Sequence, residues 1–260
     1  MNVNIAVPNN PVFSKLYSNT EFINNYDKIS IFDVNEPEIF TLLYGERVDL
    51  ALMTPLTYAQ GIRKSDFRII PGPALSVEGF GGLASIFFQK GLQSIDSCVS
   101  PTPDDYLIQM GRILLSEKFD IIVNLLKKKS SIDNLLNEFN SVIAWNDMEP
   151  KLDALDITEE WFDSFEAPMP LCFWVCKADS FPKDIEDIVK NLAISGLPDE
   201  EEIIFTNNSE DMTEDYIPRI GKYIWSWGSD SESILEQTLQ LIYFHQLVED
   251  IAAVKILNRD

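Results

Sequence analysis

Val48, Leu50, Ala51, Leu52 and Met53 form an apolar run without alternation that stops at Thr54-Pro55. A segment with no face suited to water reads as a short parallel strand covered on both sides, and so as a central one. Thr54 has the side chain of a helix N-cap, and Pro55 has the fixed φ and missing N–H tolerated at the first helical position. The run therefore predicts a strand that turns into a helix at Thr54. In an open α/β sheet such a turn lies at the carboxyl end of the strand, where crevices form and where unpaired N–H groups of the new helix can hold an anion. A cap that closes its helix and touches nothing else is the commoner occupant of any single turn, so recurrence carries the weight.

The pattern does recur. VNIAV is followed by Pro8-Asn9-Asn10-Pro11 and the helical VFSKLYSN, and KISIFDV by Asn35-Glu36-Pro37 and EIFTLLYG. SCVSPTPDDYLIQMGRILL joins a short strand to caps at Ser100 or Thr102, Pro103, an acidic first turn and an apolar stripe at helical spacing. NSVIAWNDMEPKLDAL sets Asn146 and Asp147 at its break.

Two segments differ. GPALSVEGFGGLASIFFQK surrounds Gly79, Gly81 and Gly82 with β-branched and aromatic residues and has no helix start, which reads as extended chain with close backbone approach. APMPLCFWVCKAD is a second extended apolar segment far along the chain. Two such crossings, with α/β units before, between and after them, predict two lobes: residues 1–84 and 176–260 in the first, 85–175 inserted as the second, with a cleft between them. LPDEEEIIFTNNSEDMTEDY reads as a solvated acidic connection, with an acidic docking surface as the lesser option. Residues 232–257 have the apolar periodicity of one long helix, with Ser229 and Glu232 spaced for a capping box. Packing on its own lobe outweighs a dimer role for that helix.

Charge and composition exclude several functions. Twenty Lys and Arg against 42 Asp and Glu give a formal charge of -22, which argues against nucleic acid, whose phosphates need a basic surface, and against an anionic membrane. No basic n-region precedes an apolar h-region at the N-terminus, so the expected compartment is the cytosol. Cys98, Cys172 and Cys176 form no CxxC pair, and His245 is the one histidine, in a helical stretch. A catalytic triad and a metal site are therefore not expected, and the thiols read as buried and free.

GERVDLALMTPLTYAQG, IIPGPALSVEGFGGLASIFF, SVIAWNDMEPKLD and DITEEWFDSFEAPMPLCFWVCKAD, with the closing helical segment, cover most of the chain. In this order the chain resembles the menaquinone-biosynthesis family of the futalosine pathway, and within it the chorismate dehydratases. Glu160, Trp161, Pro170, Phe173 and Trp174 match the most specific family stretch. The resemblance implies an α/β, two-lobed clamshell of the type II periplasmic-binding-protein kind, without cofactor or metal. It also implies a small carboxylate substrate: water is lost from chorismate to give 3-[(1-carboxyvinyl)oxy]benzoate.

By the same resemblance Asn9 and Asn10 meet the reacting ring, while Thr54, Gly82, Ser85, Ser100, Thr102, Asn146 and Asp147 bind substrate. Thr54 and Ser85 would hold a carboxylate. Val7-Pro8-Asn9-Asn10-Pro11 stands where the family has a Tyr-Leu-Asn turn, and Asn146-Asp147 where it has Gly-Asp. Asp104 and Asp105 lie near the place of a Thr-Ser helix start and would repel an anion, with Lys15, Arg63 and Arg112 as candidate offsetting cations. Aromatisation supplies driving force, so orientation and exclusion of water can suffice without histidine. The alternative is a non-catalytic or divergent binding clamshell with another ligand; a structural partner protein using the acidic surface is the weakest reading.

Overall fold

The computed structural model describes residues 2–26, 29–92, 94–95, 97–146, 154–206 and 218–259. Strand β1 (Val3–Pro8) leads through a 3-10 turn (Pro11–Leu16) to α1 (Thr20–Asn25) and β2 (Ile29–Val34). A second 3-10 turn (Glu36–Glu38) opens onto α2 (Ile39–Tyr44), β3 (Leu50–Met53), α3 (Pro55–Ile62) and the long β4 (Phe67–Gly79). Then come β5 (Ala84–Phe88), β6 (Cys98–Ser100), α4 (Tyr106–Phe119), β7 (Leu125–Lys127), α5 (Ile132–Leu136), β8 (Ser141–Trp145), β9 (Leu155–Asp156) and α6 (Ile157–Phe165). The order closes with β10 (Met169–Lys177), α7 (Ile185–Leu192), β11 (Glu200–Phe205), β12 (Arg219–Ser226) and α8 (Ser231–Phe244).

The chain forms two compact units. Unit 1 comprises Met1–Ser76, Pro170–Asp199 and Trp225–Asp260; unit 2 comprises Val77–Met169 and Glu200–Ile224. The first division thus falls inside β4 rather than at residue 84, because the strand runs unbroken through Ser76 and no turn residue marks the place. Glu200–Ile224 joins unit 2, which adds a third and a fourth crossing that the sequence pattern does not announce.

In unit 1, β1 pairs in parallel with β2 on one side and β3 on the other. β3 is buried at every position, as its unalternating apolar run predicts, but its second neighbour β10 is antiparallel, with Phe173 opposite Met53. β10 is buried throughout, and Leu171, Phe173, Trp174 and Val175 are each 1% exposed or less. Each such side chain contributes about 1.5–3 kcal/mol by leaving water, so this strand anchors the unit's core. Cys98, Cys172 and Cys176 are buried and free.

Helix α8 stops at Phe244, well short of residue 257. Gln246 takes a left-handed φ of 58°, and the Leu247 N–H returns to the Ile242 carbonyl at 3.0 Å, a reverse bond that closes the helix. Beyond it the irregular chain returns to β4, where Ile69 N–H donates to Lys255 O and Leu257 N–H to Ile69 O, both at 2.8 Å. Apolar Ala252, Ile256 and Leu257 are buried there, not on a helical face. At the other end of α8, Asp230 is the N-cap without a side-chain cap bond, and the Ser231 hydroxyl accepts the Gly228 N–H at 2.9 Å, so Ser229 and Glu232 do not form the expected box.

In unit 2 the sheet order is β7-β6-β8-β5-β9. β6 is parallel to β7 and β8, and β5 is antiparallel to β8 and β9. Gly111 lets α4 approach closely, since a Cβ there would lie 2.9 Å from the Ile143 and Ile157 side chains. β11 and β12 form an antiparallel pair where a solvated connection was expected. Along β11, Glu201, Ile203 and Phe205 are half-buried while Glu200, Glu202 and Ile204 are exposed, a period of two that the glutamates conceal. Residues 207–216 of that stretch lie outside the described residues.

Candidate functional site

Each unit gathers strand ends at one sheet edge. In unit 1 the parallel β1, β2 and β3 end on the same side, with Pro8 in register with Val34. Asn9 is exposed there, and its N–H donates to the Val34 carbonyl at 2.8 Å. Asn10 caps the first 3-10 turn, its side-chain oxygen accepting the Val12 N–H at 3.1 Å. Thr54 caps α3 as its sequence predicts, accepting the Thr57 N–H at 3.3 Å.

The Thr54 hydroxyl also donates to a Glu36 carboxylate oxygen at 2.8 Å and lies 3.0 Å from the Thr57 hydroxyl. A hydroxyl has one proton and two lone pairs; with the proton on Glu36, both remaining contacts use Thr54 as acceptor and the group is saturated. Glu36 is buried, 7% exposed, and no local pattern marks it beyond the proline that follows. Burial pushes the neighbouring Cys172 thiol well up, and the Glu36 charge acts in the same direction. The Tyr17 phenol is pushed up to about 12, by burial first and then by Asp33 and Cys172. This edge is acidic.

In unit 2, β6 and β8 are parallel and end at Ser100 and Trp145, while antiparallel β5 begins at Ala84, opposite Trp145. The glycine turn leads into β5, with φ of 69° at Gly79 and 66° at Gly82, values that L side chains rarely adopt. Asp156, the N-cap of α6, binds that turn: its carboxylate accepts the N–H of Gly82 at 2.9 Å and of Gly81 at 3.3 Å. It also accepts the Thr158 hydroxyl at 2.7 Å and the N–H groups of Thr158 and Glu159 at 3.1 and 3.0 Å. Burial pushes the Asp156 carboxyl up, against these hydrogen bonds and the Arg219 charge. Two elements that could hold a ligand anion, a glycine turn and a helix N-terminus, are thus filled by the protein's own carboxylate. The spacing of Asp156 and Glu159, a cap with an acid three residues on, is the sequence signal that identifies this residue.

Ser85 is buried in β5, in register with Ala144 and Asp156. The Ser100 hydroxyl accepts the Thr102 N–H at 3.2 Å, a local turn rather than a helix cap. The cap of α4 is Asp105, because the Asp105 N–H bonds back to Thr102 O at 3.2 Å and completes a turn before the helix starts. The Asp105 carboxylate makes no cap bond and accepts the Trp145 indole N–H at 2.9 Å, while Asp104 pairs with Lys127 at 2.9 Å. The Asn146 N–H donates to Leu83 O at 2.8 Å, which joins β8's end to the chain leaving the glycine turn.

Three side chains here carry buried polar atoms with no hydrogen-bond partner among the described residues: both amide atoms of Asn146, the Thr102 hydroxyl and the Gln109 carbonyl oxygen. The Asp105 carbonyl accepts the Gln109 N–H at 3.0 Å, and its carboxylate accepts the indole of Trp145, the residue before Asn146. Gln109 was not visible as a site residue in the sequence, where it reads as one turn of an amphipathic helix. Asp147 lies outside the described residues. Of the cations, Lys15 sits 5.2 Å over the Trp225 ring, Arg63 pairs with Glu249 and Asp250 at 2.7 and 2.8 Å, and burial lowers the pKa of Arg112. Among the described residues no cluster of three His, Cys, Asp or Glu could hold a metal, and no helix is long and apolar enough to cross a membrane.

No protein-family model and no curated protein matches the sequence. Solved structures match by fold. An ABC transporter protein from Parabacteroides distasonis aligns with a TM-score of 0.58 over 100% of this chain and 99% of that one, at 9% identity. The periplasmic aliphatic sulphonate binding protein SsuA from Escherichia coli gives 0.57 over 97% and 95%, also at 9% identity. Protein AF1704 from Archaeoglobus fulgidus gives 0.54 over 72% and 71%, at 12% identity. The chain therefore has an α/β, two-lobed fold of the periplasmic-binding-protein type.

Proposed function

We propose that this protein binds a small polar molecule at the strand ends of unit 2, with Asn146 and Thr102 as the groups that meet it. The observation that carries this reading is their buried, unpartnered amide and hydroxyl atoms. Leaving a polar group buried without a partner costs about 1–3 kcal/mol, so such groups persist where something outside the fold satisfies them. A fold shared with a protein named for binding aliphatic sulphonates supports a small-molecule partner.

The finer reading is a hydro-lyase of the chorismate dehydratase kind, converting chorismate to 3-[(1-carboxyvinyl)oxy]benzoate. It is favoured by the sequence resemblance, and by a site of amide and hydroxyl groups suited to orienting a substrate whose aromatisation drives the reaction. Purified protein incubated with chorismate tests both levels. Loss of chorismate absorbance that disappears in Ser85→Ala supports the lyase. A thermal shift with chorismate but no turnover, abolished by Asn146→Ala, leaves a binding protein. Unchanged binding in Asn146→Ala and Thr102→Val removes the site.

A further inference from the structure

Three donors that a carboxylate could use are taken up within the protein. The Thr54 proton lies on Glu36 in unit 1, and the N–H groups of Gly81 and Gly82 lie on Asp156 in unit 2. Among the described residues, unit 2 leaves a side-chain amide with both its oxygen and its nitrogen buried and unpartnered, at Asn146. A carboxylate has acceptors only: it would bond the amide nitrogen and set its second oxygen against the amide oxygen. Exchanging the oxygen and nitrogen positions of Asn146 leaves this requirement unchanged. Thr102 can donate or accept and so discriminates less.

We infer that the ligand meets the strand ends of unit 2 with a neutral group carrying a hydrogen-bond donor beside an acceptor, a carboxamide being the simplest, and not with a carboxylate. Such a group closes two antiparallel hydrogen bonds with Asn146 and leaves no buried atom unsatisfied. The inference rests on the reading that Asn146 and Thr102 face a small molecule. For chorismate, the neutral group that both donates and accepts is its ring hydroxyl.

Matched pairs test it: benzamide and benzoate, nicotinamide and nicotinate, succinamide and succinate, titrated calorimetrically into the full chain. In at least one pair the amide binds about tenfold or more tightly than the acid. Asn146→Leu, and independently the near-isosteric Asn146→Asp, abolish that binding while circular dichroism and melting temperature report an intact fold. Should the acid bind more tightly in every pair and be lost in Asn146→Leu, the site stands and the inferred ligand class is wrong. If no amide binds in any pair, the inference fails, and amide binding that survives Asn146→Leu overturns the site together with it.

Discussion

The Asp156 carboxylate accepts the Gly82 N–H at 2.9 Å and the Glu159 N–H at 3.0 Å, so one buried charge ties the glycine turn to the first turn of α6. Asp156→Ala leaves those N–H groups, with those of Gly81 and Thr158, short of their acceptor. Loss of a helix cap costs about 0.5–2 kcal/mol and a buried unsatisfied donor about 1–3 kcal/mol. The urea midpoint is expected to fall by an amount corresponding to about 2–4 kcal/mol, with the m-value unchanged.

The same residue sets a pH dependence. Its carboxyl is raised from the ordinary 3.8, so the folded chain holds the proton more firmly than the unfolded one. Stability from this group is full below the unfolded value and declines as pH rises from there through the folded value. Asp156→Asn does not titrate and flattens that part of the profile, which urea titrations at a series of pH values read directly. A slope identical in the two proteins would contradict the assignment.

Gly221 and Gly91 make a controlled pair. A Cβ at Gly221 would stand 1.9 Å from the Phe80 carbonyl oxygen, whereas at Gly91, φ 81°, nothing lies within 4 Å. Gly221→Ala is expected to prevent soluble folding, because backbone must move. Gly91→Ala meets only the left-handed conformational penalty of about 1–2 kcal/mol. Soluble yield and melting temperature separate the two.

Asn146→Ala and Thr102→Val remove atoms that the ligand-free fold leaves unsatisfied. Their melting temperatures without ligand are expected to equal or exceed that of the wild type, by up to about 1 kcal/mol equivalent, while ligand binding is lost. A marked destabilisation of both would mean that these atoms have partners in the fold.

The Tyr58 hydroxyl donates to Ala253 O at 2.9 Å and accepts the Lys255 N–H at 3.2 Å, and burial pushes its phenol up. Tyr58→Phe removes both bonds, about 1 kcal/mol each in net terms, from the segment that follows α8. Limited proteolysis is expected to cut after residue 246 faster than in the wild type.

Much of the architecture was legible. β3 and β10 announce burial by unbroken apolar runs, and Thr54-Pro55 announces the helix that follows, because caps and two-sided burial are local demands on residue type. β11 was not, since an edge strand tolerates glutamates that look like a solvated loop. Neither was the end of α8: periodicity continues past Phe244, and a left-handed Gln246 carries no glycine to signal it.

For the candidate site the sequence by itself determined which polar residues stand at strand ends: Asn9, Asn10, Thr54, Ser100, Thr102 and Asn146. Only the tertiary structure decided which of these keep their hydrogen-bonding capacity. Partners such as Glu36 for Thr54 come from distant chain, and hydrogen-bond saturation depends on what folding brings within about 3 Å, which no local pattern specifies.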